Sequence, residues 1–197
     1  MTYEAVVLGA SAGGMQLVKN LVTSLPNDFG LPLIIVQHVG DNSDNVWPNL
    51  LNECSQVLVK EADEKEPIQR GTVYLAPPNY HLLIEPDHSF TLTIDERVNY
   101  ARPAIDVLFE TAAEAYREKL IGIVCTGGNF DGAKGLLRIK ELGGMTIAQD
   151  PETAEASAMP KAAIQTAHPD YVLSLDGIKK LLLEIHTAKT TSHELEN

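Results

Sequence analysis

Short apolar runs alternate with amphipathic segments through most of the 197-residue chain, and this alternation restricts its fold more than any other feature. Residues 4–8 predict a first strand, and 31–37 form a continuous apolar run, as in a strand that is buried on both faces of a parallel sheet. Between them, apolar residues recur at helical spacing from Leu17 to Leu25. Further strands are predicted at 120–125, 145–149 and 171–175. The pattern predicts an α/β fold with a doubly wound, mostly parallel, Rossmann-like sheet.

The middle and the end of the chain depart from this alternation. Three short strand-like runs, separated by turn residues, predict a small antiparallel meander inserted into the α/β pattern. They lie at 72–76, 81–85 and 90–94. Pro103 and Pro160 are expected to open helices, since proline is favoured at the first helical position. The polar C-terminal residues show no periodicity, so we expect one domain over 1–186 and a flexible tail over 187–197.

Charge and composition exclude several classes of function. A net charge of -12 would repel a phosphate backbone, so we expect no nucleic-acid partner. No stretch approaches the roughly 18 apolar residues of a membrane helix, and no signal peptide is visible, so a cytoplasmic protein without membrane insertion is expected. Cys54 and Cys125 lie in unrelated contexts, which suits a reducing compartment. No Cys or His pair has ligand spacing, so neither metal nor cofactor is expected.

The Gly-rich segment 9–14 follows the first predicted strand and opens the first helix. It contains G-x-S-x-G, a turn in which small neighbours let a strained serine, here Ser11, project its hydroxyl above the sheet. The same residues nearly match the dinucleotide fingerprint G-x-G-x-x-G, which would give Ser11 a phosphate-binding role at the helix N-terminus. Serine at the second glycine position, and Gln37-His38 instead of an acidic residue after the second strand, count against a nucleotide. A plain tight turn is the third interpretation.

His38 and Asp131 are expected at the same edge of the sheet as Ser11. His38 directly follows the second strand, and Asp131 lies in a Gly-rich loop between a buried strand and a helix. A serine nucleophile, a histidine base and a carboxylate that fixes the histidine tautomer form a catalytic triad. The alternatives are a helix N-cap for Asp131 and a satisfied polar group at a strand end for His38. The order Ser, His, Asp differs from that of the α/β-hydrolases.

Several short motifs occur in a fixed order from residue 6 to residue 185. They include G-A-S-A-G-G at 9–14, Q-H at 37–38, R-P-A-I-D-V-L-F at 102–109, D-G-A at 131–133 and M-P at 159–160. In this order they resemble the catalytic domain of the CheB-type protein-glutamate methylesterases of bacterial chemotaxis. The resemblance implies a serine hydrolase that cleaves glutamyl methyl esters and, in some members, deamidates glutamine. The implied partners are methylated cytoplasmic helices of chemoreceptors, or a related protein ester.

The resemblance also implies roles for individual residues. Ser11 is the implied nucleophile, His38 the general base and acid, and Asp131 the orienting carboxylate. The implied oxyanion hole consists of the backbone amides of Gly128 and Ala12, which need no particular side chain. These roles agree with the triad inferred from the strand ends.

Some features depart from the family pattern and put substrate preference in question. Ala12 stands where the family usually has threonine, residues 126–129 read T-G-G-N instead of T-G-M-G, and 40–47 lack the usual proline-containing stretch. The sequence includes no receiver domain ahead of the catalytic part, so a stand-alone enzyme, constitutively open or controlled by another protein, is expected, and a fragment of a longer protein is the alternative. Arg102 is a candidate substrate contact because it precedes a helix on the relevant side of the family fold. An exposed salt bridge is the alternative for this arginine.

Two other classes of function stay open at this point. A phosphate- or nucleotide-binding module would keep the fold and use Ser11 at the helix N-terminus. A catalytically inactive relative would use the same surface for protein interaction in signalling. The presence of Ser11, His38 and Asp131 together argues against the inactive relative, and the serine hydrolase is the leading hypothesis.

Overall fold

The computed structural model describes residues 3–38 and 46–194, in which strands and helices alternate. The strands are β1 (Ala5–Ala10), β2 (Leu33–Gln37), β3 (Leu58–Glu61), β4 (Thr72–Leu75), β5 (His81–Ile84), β6 (Phe90–Thr93), β7 (Leu120–Val124), β8 (Met145–Gln149) and β9 (Tyr171–Leu173). The helices are α1 (Gly14–Val22), α2 (Val46–Cys54), α3 (Ile105–Tyr116), α4 (Ala133–Glu141), α5 (Ala158–Ala167) and α6 (Leu175–Glu194). A 3₁₀ turn, Arg117–Lys119, joins α3 to β7.

Seven strands form one parallel sheet with the order β3-β4-β2-β1-β7-β8-β9. The central strand β1 is buried along its whole length. Its side chains alternate between two cores, since successive residues of a strand point to opposite faces. Val7 belongs to the core under α3, α4 and α5, whereas Val6 and Leu8 belong to the core under α1, α2 and α6. The predicted doubly wound α/β fold is confirmed.

The predicted three-stranded meander is wrong in one respect. Of the three predicted strands, only β5 and β6 pair antiparallel, in a separate two-stranded sheet. β4 instead pairs in parallel with β2 and β3, and all four of its residues are buried. A short apolar run has the same sequence pattern in a parallel and in an antiparallel strand, because local hydrophobicity does not depend on the direction of the neighbouring strands. The hairpin packs on the sheet through Phe90. The ring of Phe90 contacts that of Tyr74 edge-on, with 4.8 Å between the ring centroids.

Two helix starts and the C-terminal segment also differ from the sequence prediction. α3 begins at Ile105 after an extended Ala104, so Pro103 precedes the helix instead of opening it. α5 begins at Ala158, ahead of Pro160. α6 continues to Glu194, so most of the expected irregular tail is helical. The domain bounds and the flexibility of the tail stay predictions.

Candidate active site

Three neighbouring strands bring the candidate catalytic residues to one edge of the sheet. Ser11 follows β1 and His38 follows β2, its pairing partner, whereas Asp131 lies in the loop after β7 on the other side of β1. Backbone hydrogen bonds continue past the strand ends: His38 N–H donates to Ala10 O at 2.9 Å, and Ser11 N–H donates to Thr126 O at 2.9 Å. The sheet register therefore fixes the backbone on which the site is built.

The imidazole of His38 is hydrogen-bonded to the carboxylate of Asp131. Nε2 of His38 lies 2.9 Å from Oδ2 of Asp131, and the two side chains are 13% and 0% exposed. Burial raises the pKa of Asp131, but hydrogen bonds from His38, the Ile105 amide and Asn99 outweigh it and hold this pKa below its ordinary value. Asp131 is therefore ionised at neutral pH, and its bond to Nε2 leaves Nδ1 as the basic nitrogen of the ring.

Asp131 also caps a helix, although not the one that follows it in the chain. Its Oδ2 accepts the N–H of Ile105 at 2.7 Å, and its Oδ1 accepts the N–H of Asp106 at 3.1 Å. These are first-turn amides of α3, where the helix dipole favours a negative charge. α4, which begins two residues after Asp131, is preceded by Gly132 without a side-chain cap. The N-cap and triad interpretations of Asp131 are thus compatible.

The turn after Ser11 is built from residues without side chains. Gly13 is left-handed, with φ of 76°, and precedes the first residue of α1. A Cβ at Gly14 would lie 2.0 Å from Oε1 of Gln37, so only glycine fits there. Ser11 is partly exposed. Ser11 and His38 both belong to the described residues, and no hydrogen bond joins Ser11 Oγ to the His38 ring. Such contacts commonly tighten only when substrate binds.

Two backbone amides, one directly after Ser11 and one in the loop after β7, are available as donors. Among the described residues, no hydrogen bond uses the N–H of Ala12 or of Gly128. Thr126 ties their two loops together, since its Oγ1 donates to Ala12 O at 2.8 Å and accepts the Ala156 N–H at 2.9 Å. A Cβ at Gly128 would meet nothing within 4 Å, so the missing side chain at this position leaves open space.

A cavity of about 860 Å³ opens beside Ser11 and His38. Its walls are mostly apolar and include Met15, Ile35, Val46, Trp47, Pro48, Leu50, Leu75, Ala76 and Pro78. Two carboxylates, Glu61 and Glu155, also line it, and burial followed by the charge of Asp63 raises the pKa of Glu61. A pocket of this kind suits a neutral substrate group. The sequence departure at 40–47 falls mainly outside the described residues.

Arg102 lies beside the site without forming an ion pair within the described part of the chain. Its Nη1 donates to the carbonyls of Ile94 and Asp95 at 2.6 and 3.0 Å. With His38 and Asn129 it lines a second, smaller cavity of about 260 Å³. Arg102 thus holds a loop together, and its proposed contact with substrate stays a prediction.

Sequence reasoning missed two amide side chains that contact the candidate triad. Nε2 of Gln37 donates to the backbone carbonyls of Ser11 and His38, both at 2.8 Å. Nδ2 of Asn99 donates to Oδ1 of Asp131 at 2.8 Å. The position of Gln37 directly before His38 was a usable signal. Asn99 gave none, because it lies in an irregular loop far in sequence from Ser11, His38 and Asp131.

No group of three or more His, Cys, Asp or Glu side chains in 3–38 and 46–194 is arranged to hold a metal ion. No helix within these ranges is both long and apolar enough to cross a bilayer.

Known proteins resemble this chain over nearly its whole length. A family model of the CheB methylesterases matches residues 6–182. A Leptospira interrogans protein is 54% identical over 94% of this chain and 96% of its own length. The protein-glutamate methylesterase/protein-glutamine glutaminase of Thermotoga maritima is 36% identical over 92% of this chain but 54% of its own, so the chain spans about half of that relative. The crystal structure of the Thermotoga maritima CheB methylesterase catalytic domain matches with a TM-score of 0.88 at 34% identity, covering 94% of this chain and 100% of that one.

Proposed function

Because the chain belongs to the CheB methylesterase family, we propose that it is a serine esterase that hydrolyses glutamyl methyl esters on proteins. The family resemblance inferred from the motifs is confirmed by these matches. The observation that carries the proposal is the hydrogen bond of 2.9 Å between His38 Nε2 and Asp131 Oδ2. This hydrogen-bonded pair lies beside Ser11, on the turn between β1 and α1. A serine next to a histidine that a carboxylate orients is the arrangement that an activated nucleophile needs.

The acylation step follows from this geometry. Nδ1 of His38 accepts the proton of Ser11 Oγ while Oγ attacks the ester carbonyl carbon. The tetrahedral oxyanion accepts hydrogen bonds from the N–H groups of Ala12 and Gly128. When the intermediate collapses, the ester C–O bond breaks, and the methoxy oxygen takes the proton from His38 to leave as methanol. Asp131 keeps the ring in one tautomer and stabilises the imidazolium.

Water completes the cycle at the same residues. His38 accepts a proton from a water molecule that attacks the glutamyl ester of Ser11, and then returns that proton to Ser11 Oγ. The product is a glutamate carboxylate. Attack on a glutamine amide would follow the same path with ammonia as the leaving group, which agrees with the second activity in the name of the Thermotoga maritima relative.

The substrate we propose is a methylated cytoplasmic helix of a chemoreceptor, which also places the enzyme in the cytoplasm. The apolar cavity beside Ser11 supports a neutral methyl ester as the bound group. Its two carboxylates, Glu61 and Glu155, disfavour an ionised glutamate in the same place.

Labelling with a serine-directed fluorophosphonate tests the proposal. We expect one adduct by mass on the wild-type protein and none on Ser11→Ala, because the serine carries the nucleophilic oxygen. His38→Ala is expected to abolish labelling as well, since the base is lost. Ser24→Ala is the matched control, as Ser24 follows α1 and, among the described residues, its Oγ donates only to Leu21 O. Methanol release from a methylated receptor fragment then tests the substrate.

A folded wild-type protein that takes up no label would contradict the esterase proposal. Bound phosphate or nucleotide after purification would then favour a binding module on the same fold. A purified protein without either ligand would favour an inactive relative.

A further inference from the structure

A single amide side chain joins the carboxylate of Asp131 to a second buried carboxylate. Nδ2 of Asn99 donates to Oδ1 of Asp131 at 2.8 Å and to Oδ2 of Asp106 at 2.8 Å. Asp131 is 0% exposed and Asp106 is 4% exposed. Two carboxylates this deeply buried repel each other, and a shared donor between them offsets part of that repulsion.

Asp106 is anchored independently of Asn99. Its Oδ1 accepts the N–H of Gly135 at 2.8 Å, which joins the first turn of α3 to α4. Burial raises the pKa of Asp106, and the negative charge of Asp131 acts in the same direction. Asn99 is therefore held between a carboxylate fixed to two helices and the carboxylate that faces His38.

The backbone at Asn99 is shaped to deliver this amide. Asn99 and Tyr100 are both left-handed, with φ of 52° and 64°. Val98 and Ala101 exchange backbone hydrogen bonds at 3.2 and 2.9 Å, so these four residues form a tight turn with positive φ at both central positions. Asparagine tolerates that conformation, whereas tyrosine does so only at a cost. Tyr100 is 91% exposed, so burial of its ring does not explain the strained turn.

Asn99 differs from most of the other hydrogen-bond donors to Asp131 because it donates through its side chain. From the residues that the structure describes, Asp131 accepts five hydrogen bonds, donated by His38, Asn99 and the amides of Ile105, Asp106 and Gly132. The three amides belong to the backbone, so within the described residues Asn99 is the one side chain besides His38 that contacts this carboxylate. It bonds to Oδ1, the oxygen that does not contact His38.

We propose that Asn99 is a positioning residue of the active site, which fixes the carboxylate of Asp131 toward His38 by bridging it to Asp106. The inference rests on the proposed esterase function. Loss of the amide leaves the four other hydrogen bonds to Asp131 in place, but it removes a restraint on Oδ1 and withdraws a donor from the negative charge. The His38–Asp131 pair then orients Ser11 less well and binds a proton more tightly.

Two variants separate the amide from the backbone conformation. Asn99→Gly keeps access to positive φ but has no side chain, and Asn99→Asp keeps the shape while replacing the donor with a third carboxylate. Asn79→Gly is the matched control, because Asn79 is another left-handed asparagine, with φ of 67°, and is exposed. Circular dichroism establishes that each variant is folded, and either Asn99 variant alone suffices for the test.

The readout is the rate of fluorophosphonate labelling between pH 4 and pH 9. We expect Asn99→Gly to be labelled at least about tenfold more slowly than the wild type. The acid limb of its pH profile should move up by about one pH unit, because one hydrogen bond to a charged group changes a pKa by about that much. Asn99→Asp should shift the limb further, because it adds a negative charge. Asn79→Gly should follow the wild-type profile. A purely structural role would lower the melting temperature without moving the pH limb.

Wild-type rates and an unmoved acid limb in either Asn99 variant that folds would overturn the proposal. Imidazole ¹⁵N chemical shifts of His38, assigned by their loss in His38→Ala, provide a readout that needs no esterase activity. If the wild type is unlabelled, the esterase proposal fails, while a His38 titration that moves in Asn99→Gly still supports the positioning role. An unchanged titration rejects that role as well.

Discussion

Asp131 carries a negative charge in a fully buried position because hydrogen-bond donors surround it. Burial alone would favour the protonated acid, but the donors, with His38, the Ile105 amide and Asn99 contributing most, lower its pKa. A protonated Asp131 could neither fix the tautomer of His38 nor stabilise the imidazolium that forms during catalysis. The chemistry proposed for Ser11 therefore depends on residues that never touch the substrate.

Asp131→Asn should slow labelling of Ser11 by about 10³- to 10⁴-fold, the scale on which loss of the carboxylate affects Ser-His-Asp triads. It should also change the pH dependence of stability. The native pKa of Asp131 is lowered, so its contribution is complete above the ordinary aspartate value and is lost as pH falls below about 4. The difference in unfolding free energy between wild type and variant should thus shrink toward acid.

Urea denaturation at several pH values from 7 to 3 measures that difference. The raised pKa of Asp106 acts in the opposite direction. Its largest cause, burial, is common to both proteins and cancels, whereas the smaller contribution from the charge of Asp131 is absent in the variant. A difference that stays constant down to pH 3 would show that Asp131 is not held ionised by its donors.

Helix α1 depends on a turn that has no space for side chains at its start. A Cβ at Gly13 would lie 2.7 Å from Cβ of Glu155, and one at Gly14 would lie 2.0 Å from Oε1 of Gln37. Gln37 in turn donates to the carbonyls of Ser11 and His38. The close approach of α1 to Gln37 therefore supports the placement of the serine next to the histidine that the pairing of β1 with β2 establishes.

Gly14→Ala should destabilise the fold by about 1–3 kcal/mol, because the added methyl overpacks the contact between α1 and Gln37. Labelling of Ser11 should slow in the same variant, since Gln37 must move. Gly128→Ala is the matched substitution in open space and should change stability by less than about 0.5 kcal/mol. Equal unfolding midpoints in urea for the two alanine variants would contradict this account of the turn.

Across the whole molecule, the β5–β6 hairpin connects the core to the active site. Its Phe90 is 0% exposed and packs edge-on against Tyr74 in the parallel sheet. The chain leaves β6 into the loop that carries Asn99 and Arg102, and Arg102 closes the loop onto the carbonyl of Ile94. Packing of the hairpin therefore supports the turn that presents Asn99 to Asp131.

Phe90→Ala should cost about 3–5 kcal/mol of unfolding free energy, because it leaves a cavity between the hairpin and the sheet. Phe130→Ala removes an equal side chain from a position that is 54% exposed, and it should have a small effect. Equilibrium unfolding in urea compares the two. Similar losses in both variants would mean that the hairpin contributes little to the stability of the core.

The sequence by itself determined the alternating α/β architecture and the strand ends at which the site is built. Hydrophobic period and turn composition are local properties, so they are visible without a structure. Carboxyl ends of parallel strands lie at one edge, which is why Ser11 and His38 could be placed together from chain order alone. The motif order was enough to identify the family.

Only the tertiary structure decided which long-range partners complete the site. The parallel pairing of β4, the capping of α3 by Asp131 and the bridge from Asn99 to two carboxylates all join segments that are remote in sequence. Apolar patterning records whether a residue is buried, but it does not record which buried neighbour it meets. Polar partners at distances near 3 Å depend on loop paths and side-chain rotamers that only the packed chain fixes.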